Sequence, residues 1–139
     1  RPSNPKKYKG DSQNIIYRSL WERKFMNYCD LNENILEWAS EEFWIPYLDP
    51  TTNRVRRYFP DFFIKYKDKD RNIRRSVIEV KPMRETLQPK ATKGKSRKTM
   101  INESMTYVKN QAKWKAAREF CADRKLEFKI MTEKELGIR

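Results

Sequence analysis

Hydrophobic and polar positions alternate along this chain with two periodicities, one typical of helices and one typical of strands. A helical period begins at Ser19, where Ser19 and Glu22 form an S-x-x-E capping box ahead of an apolar stripe that reaches Asp30. A longer helix is predicted from about Met100 to Arg124, with apolar residues three and four positions apart at Ile101, Met105, Val108, Ala112, Ala116 and Phe120. Thr132 and Glu135 predict a cap for a last short helix.

The periodicity typical of strands predicts several strands between these helices. Pro46 places the second strand at an edge or a bulge, and the polar turns Asp49–Asn53 and Lys67–Asn72 separate the later ones. The turn Lys67–Asn72 makes a β-hairpin of its two flanking strands. The strands are predicted at Ile35–Trp38, Phe43–Tyr47, Val55–Tyr66, Ile73–Val80 and Leu126–Met131.

The order of elements predicts the fold class. Helix, strands, hairpin, helix and strand in 139 residues indicate one α/β domain, a mixed β-sheet flanked by helices, over residues 19–139. Residues 1–18 are interpreted as an irregular basic arm with a short extended piece at Ile15–Tyr17.

Charge points to a polyanionic partner. Lys and Arg number 32 against 19 acids, a net charge of +13, and nucleic acid is the first candidate. A membrane surface would also attract this charge, but the chain has no apolar run of spanning length and no signal-peptide core, so a soluble intracellular protein is expected. Residues 82–99 are predicted to form a mobile basic loop. Contacts with DNA phosphates are expected from Arg84, Lys90, Lys93, Lys95, Arg97 and Lys98, and from Lys6 and Lys7 in the arm.

The rare residue types narrow the chemistry. The chain has no histidine, which excludes mechanisms that need an imidazole base or ligand. Cys29 and Cys121 form neither a disulfide framework nor a zinc pattern and are expected to be buried and reduced. Catalysis would therefore use carboxylates and lysine.

The predicted hairpin brings two acids together. Its turn centres near position 70, so Asp61 and Glu79 should face each other across the strands, and Lys81 should share the side of Glu79. Facing carboxylates repel unless a cation lies between them. Mg²⁺ fits, with Asp61, Glu79 and the backbone carbonyl of Val80 as ligands. Bound there, it would polarise a phosphodiester, while Lys81 would stabilise the developing charge.

Plainer interpretations remain open for these residues. Asp61 could cap a turn after Pro60, and Glu79 with Lys81 could be a solvated pair on a strand. Glu22 is explained by its capping box without any metal.

Four blocks of sequence carry a family resemblance. Pro60-Asp61 followed by Glu79-Val80-Lys81 resembles the signature of PD-(D/E)XK nucleases. Together with longer blocks, it resembles the head completion nucleases of T-even-type tailed phages and, more distantly, the endonuclease subunit of some bacterial transposons. The blocks span Tyr17–Phe25, Arg57–Phe62, Ile78–Pro82 and Asn110–Ala117.

The resemblance implies a restriction-endonuclease-like fold and Mg²⁺-dependent cleavage of DNA in phage head completion, with Mn²⁺ as a substitute metal. It carries metal binding onto Asp61 and Glu79, the catalytic lysine onto Lys81, an additional metal ligand onto Glu22, and a loosely matched catalytic role onto Gln111. Phage head or portal proteins would be partners, in the cytoplasm of the infected host or in the virion head.

Two alternatives keep the same charge and fold. One is a non-catalytic DNA-binding or capsid-assembly protein, and the other is an enzyme that acts on RNA. Because the sequence shows no zinc finger or recognition helix, cleavage directed by DNA structure or ends is expected rather than cleavage at a defined sequence.

Overall fold

The computed structural model describes residues 2–11 and 20–137. Ser19, with its half of the capping box, and the Ile15–Tyr17 segment lie outside the described residues. The helices and strands follow in the order α1 (Leu20–Leu31), β1 (Ile35–Ser40), β2 (Ile45–Asp49), β3 (Arg54–Tyr58), β4 (Phe62–Lys67), β5 (Ile73–Val80), α2 (Arg97–Asp123), β6 (Glu127–Met131) and α3 (Glu133–Leu136).

The strands form a mixed sheet and a smaller separate one. Strands β1, β4, β5 and β6 lie side by side in that order, with β5 and β6 parallel and the other neighbours antiparallel. Strands β2 and β3 pair with each other in a two-stranded sheet. The predicted α/β class with a mixed sheet and flanking helices is therefore confirmed.

The predicted hairpin is formed by β4 and β5. Its turn is closed by the Asp68 carboxylate, which accepts hydrogen bonds of 2.9 Å from the backbone N–H groups of Asp70 and Asn72. The prediction of one strand over Val55–Tyr66 is wrong, because β3 ends at Tyr58 and β4 begins only at Phe62. Pro60 causes this break, since it has no N–H to donate and restricts the residue before it.

Two boundaries also differ from the prediction. Strand β2 starts at Ile45 rather than Phe43, whose ring instead stacks on Phe120 with 6.0 Å between centroids. Helix α2 begins three residues early, at Arg97, because the Ser96 side chain caps it by accepting the Thr99 N–H. Arg97 and Lys98 therefore lie in the first helical turn, and the irregular segment ends at Ser96.

The four-stranded sheet is covered on both faces. On one face α1 packs through Phe25, Met26 and Cys29 against a cluster from the sheet that includes Ile35, Trp38, Phe62, Ile64, Ile78 and Val80. On the other face α2 and the β2–β3 sheet form a second cluster from Ile45, Tyr47, Tyr58, Trp114 and Ala117, with Phe128 and Ile130 of β6 against it.

Helix α2 buries the predicted face only along its second half, where Ala112, Ala116 and Phe120 pack, partly buried, against the second cluster. Ile101 is 50% exposed, and Met105 and Val108 are each 43% exposed. The helix instead buries Asn110, Trp114, Ala117 and Cys121. Trp114 lies off the predicted stripe, and its ring removes far more area from water than the methyl groups of Ala112 and Ala116.

Part of the predicted N-terminal arm packs on the domain. The Tyr8 side chain is buried, with its ring edge-on to Trp38 at 4.6 Å between centroids, and its hydroxyl donates to the Ser40 carbonyl at 3.2 Å. Both cysteines are buried and free, as expected. Within the described residues, no helix is long and apolar enough to cross a membrane.

Candidate active site

Two acids meet at the open end of the β4–β5 hairpin. The last pair of the ladder is Phe62 with Ile78, so the next positions, Asp61 and Glu79, face each other as the hairpin geometry predicted. Their carboxyl groups hydrogen bond to each other, and the Asp61 Oδ2 also accepts the Val80 N–H at 2.7 Å. The strand break at Pro60 places Asp61 at this edge.

Burial sets the electrostatics of the pair, in which Glu79 is buried and Asp61 is half-buried. Glu79 is only 5% exposed. Burial, followed by the charge of Glu79, holds the pKa of Asp61 well above its usual range, and burial also raises the pKa of Glu79. Each group therefore holds its proton more tightly than an exposed carboxyl group does. If both carboxyl groups were ionised, they would repel each other unless a positive charge lay near them.

Lys81 supplies one positive charge beside the pair. It lies one residue beyond β5, where its backbone N–H donates to the Met131 carbonyl at 2.9 Å. Alternation along the strand puts its side chain on the side of Glu79, and the two charges interact. The structure thus brings Asp61, Glu79 and Lys81 into one site.

Tyr58 is a site residue that the sequence did not reveal. It ends β3, it is 4% exposed, and its hydroxyl donates a hydrogen bond to the Glu79 Oε2. Burial, followed by the charge of Glu79, raises the pKa of Tyr58, so the hydroxyl keeps its proton and remains a donor. If Pro60 had been recognised as the interruption of the predicted strand, Tyr58 would have been placed on a separate strand from Phe62.

Lys113 of α2 is the second such residue. Its ammonium lies 5.8 Å from the ring centroids of both Tyr47 and Tyr58, and its charge interacts with Glu79. Burial lowers the pKa of Lys113. Gln111, the helix residue expected in a catalytic role, is two positions away, about 200° around the helix. The charge of Lys113 acts on Glu79, and a catalytic role for Gln111 stays a prediction.

Glu22 stands near the pair without completing a larger cluster. It lies in the first turn of α1, and its charge contributes to the raised pKa of Asp61. Among the described residues, no group of three or more acids or cysteines is close enough to hold a metal. Glu22 as a metal ligand stays a prediction.

The donor set fits a hard divalent cation. Two carboxylates in contact offer only oxygen ligands, which suit Mg²⁺ or Mn²⁺ and not a metal that prefers thiolate or imidazole. The Val80 carbonyl, beside the N–H that binds Asp61, is the additional ligand expected from the sequence.

The basic residues expected to bind DNA fall into two groups, those bonded within the protein and those exposed to solvent. Lys95 is engaged within the protein, because its ammonium contacts the Glu103 carboxylate at 2.7 Å and the Lys90 carbonyl at 2.8 Å. Lys7 donates to the carbonyls of Asp30 and Asn32 at the end of α1 opposite Glu22. The exposed ones are Lys6, Arg84, Lys90, Lys93, Arg97 and Lys98.

Fold and site together define the chain as an α/β nuclease domain. Residues 32–133, more than half of the chain, match the N-terminal family of TnsA-like endonucleases, and the protein belongs to that family. It is also 38% identical over 135 residues to the head completion nuclease of Enterobacteria phage T4, a match that covers 95% of this chain and 87% of that protein. No solved structure matches the chain. The resemblance to the head completion nucleases of T-even-type phages is confirmed.

Proposed function

We propose that this protein is a Mg²⁺-dependent endodeoxyribonuclease of the PD-(D/E)XK type that acts in phage head completion. The observation that carries the proposal is the contact between the carboxyl groups of half-buried Asp61 and buried Glu79 beside the charge of Lys81. Membership of an endonuclease family supports the reaction type, and the name of the phage T4 relative supports the role in the head.

The protein holds one oxygen of each carboxylate in place. The Val80 N–H fixes the Asp61 Oδ2, and the Tyr58 hydroxyl fixes the Glu79 Oε2. The remaining carboxylate oxygens, with the Val80 carbonyl, would hold Mg²⁺. A cation bound there would polarise the scissile phosphate and make a water molecule more acidic.

Lys81 and Lys113 have different parts in this scheme. Lys81 is partly exposed at the mouth of the site, so its ammonium would stabilise the negative charge that develops on the phosphate oxygens during attack. Lys113 lies behind Tyr58, where its charge would favour the ionised form of Glu79. Both lysines oppose the repulsion within the acid pair.

The exposed cations beyond Lys81 would hold the DNA backbone. Arg84 lies in a short 3-10 helix, Met83–Thr86, and Lys90 lies in the irregular segment that follows it. Arg97 and Lys98 occupy the first turn of α2, which carries no acid. The N-terminal end of a helix attracts phosphate through its free N–H groups, so these charges and the helix dipole act together. Such contacts are independent of sequence, which supports cleavage directed by DNA structure or ends. Head or portal proteins would be the protein partners.

A nicking assay tests the proposal. Supercoiled plasmid is incubated with the protein and Mg²⁺, Mn²⁺ or EDTA, beside the variants Asp61→Asn and Lys81→Ala. Each variant is expected to lose roughly 10²-fold or more in nicking rate. Asp61→Asn weakens the proposed Mg²⁺ site, and Lys81→Ala removes the charge that would stabilise the transition state.

The hairpin supplies matched controls. Asp70→Asn removes an exposed acid at the opposite end of the hairpin, and Lys65→Ala removes a lysine of β4 beside Glu37. Both should nick at the wild-type rate. Equal activity of the wild type and the two active-site variants, or unchanged nicking in EDTA, would refute the catalytic assignment. An RNA strand cut in preference to DNA would correct the substrate.

A further inference from the structure

A groove of about 840 Å³ lies between the segment that follows Lys81 and the first half of α2. Residues 84–95 form one wall, and residues 102–110 of α2 form the other. Its volume is in the range of roughly 300–1,000 Å³ that is typical of sites for small organic groups.

The wall of the groove is fixed by a specific contact. The Lys95 ammonium bridges the Glu103 carboxylate of α2 at 2.7 Å and the Lys90 carbonyl of the segment at 2.8 Å. This bridge ties the segment to the helix across the groove. The groove is therefore defined before any ligand enters it, and Lys95 is a structural residue of the wall.

The lining combines three kinds of group that recognise a nucleotide. Tyr107 offers an aromatic ring, on which any base can stack. Gln88 and Asn102 offer exposed amides, which both donate and accept hydrogen bonds as base edges do. Arg84 and Lys90 are exposed cations suited to phosphates.

The groove adjoins the active site. Arg84 follows Lys81 by three residues, which spans at most about 11 Å of chain. On the opposite wall, Asn110 precedes Lys113 by three residues, about one helical turn, and the charge of Lys113 interacts with Glu79. A DNA strand with its phosphate at Asp61 and Glu79 would thus have the groove one or two nucleotides away.

We propose that this groove binds one or two unpaired nucleotides of the DNA substrate, displaced from the duplex beside the cleavage site. The inference rests on the proposed nuclease function and gives it a source of structural selectivity. Tyr107 would stack on a base and the amides would bind its edge. DNA that already contains unpaired bases would be preferred, because intact duplex must first lose its own stacking.

Binding without catalysis tests the inference. Fluorescence anisotropy in EDTA compares an intact duplex with the same duplex carrying a short internal run of mismatches. The wild type is expected to bind the mismatched DNA about tenfold more tightly, since stacking on an aromatic side chain contributes a factor of about five or more for each base. Tyr107→Leu should lose this preference while keeping its affinity for duplex, and Tyr107→Trp should restore it.

Tyr28→Leu provides the matched control. Tyr28 is an exposed tyrosine of α1, outside the groove, and this variant should keep the wild-type preference. Equal binding of the two DNAs by the wild type, or equal weakening of both by Tyr107→Leu, would overturn the inference. A preference that depends on Tyr107 would uphold it even if Mg²⁺ supported no nicking. Nicking without any preference for the mismatched DNA would support the nuclease proposal and refute nucleotide binding in the groove.

Discussion

The two faces of strand β5 present opposite environments only one residue apart. Ile78 and Val80 point into the apolar cluster under α1, whereas Glu79 points toward α2, with Tyr58, Asp61 and Lys113 around it. One face gains free energy by removing apolar surface from water, and the other retains a buried charge at a cost. The difference teaches that the site is held by the packing behind it.

The difference between the two faces follows from the alternation of side chains along the strand. Because side chains alternate between faces, a shift of one residue in the register would move Glu79 into the apolar cluster and Ile78 into the site. The parallel pairing of Glu79 with Ile130 and the antiparallel pairing of Phe62 with Ile78 fix the strand from both sides. A central strand is therefore a rigid support for a catalytic acid.

The largest expected effect separates the faces. Ile78→Ala should lower the free energy of unfolding by about 2–5 kcal/mol, because it opens a cavity at a fully buried position. Urea unfolding measures this loss, and nicking per folded molecule should be kept. Glu79→Gln should do the reverse, with nicking lost and stability preserved, because it removes a buried charge. A similar loss of stability in both variants would contradict the division between the faces.

A smaller effect is expected at the hydroxyl behind Glu79. Tyr58→Phe removes the hydrogen bond to the Glu79 Oε2 and leaves the ring in its cluster. Because groups that orient metal ligands typically contribute 10–100-fold, we expect about a tenfold higher Mg²⁺ concentration for half-maximal nicking. Tyr47→Phe is the control, a buried tyrosine of the same cluster. An unchanged Mg²⁺ requirement in Tyr58→Phe would show that Tyr58 only fills space.

The stability of the metal-free protein should also depend on pH. Burial raises the pKa of Asp61, so from about pH 4 upward the unfolded chain has released a proton that the folded protein keeps. The free energy of unfolding must then fall as pH rises, by at most about 1.4 kcal/mol per pH unit for one proton, until pH passes the raised pKa. Urea unfolding in EDTA across this range measures it.

Asp61→Asn tests the origin of that slope. The variant cannot release the proton, so its stability should fall less steeply with pH than that of the wild type. Mg²⁺ should stabilise the wild type more at high pH, where its ligands are ionised, and should not stabilise the variant. Identical slopes in wild type and variant would exclude the acid pair as their cause.

The sequence by itself determined the acid pair and its lysine, because a hairpin is local. The turn Lys67–Asn72 fixes the register, and the register then decides that Asp61 meets Glu79 with Lys81 beyond. The capping box of Thr132 and Glu135 was equally local, and the structure has it as predicted. Interactions over a few residues, or through one turn, can be read from spacing alone.

Only the tertiary structure decided what surrounds the pair. Tyr58 contacts Glu79 because the strand is interrupted at Pro60, so that β3 pairs with β2 rather than continuing into β4. The charge of Lys113 acts on Glu79 because α2 packs its Trp114 side against the sheet. The periodicity of α2 favoured a different face. These contacts depend on which large side chains pack between distant elements, a competition among burial energies that no local spacing records.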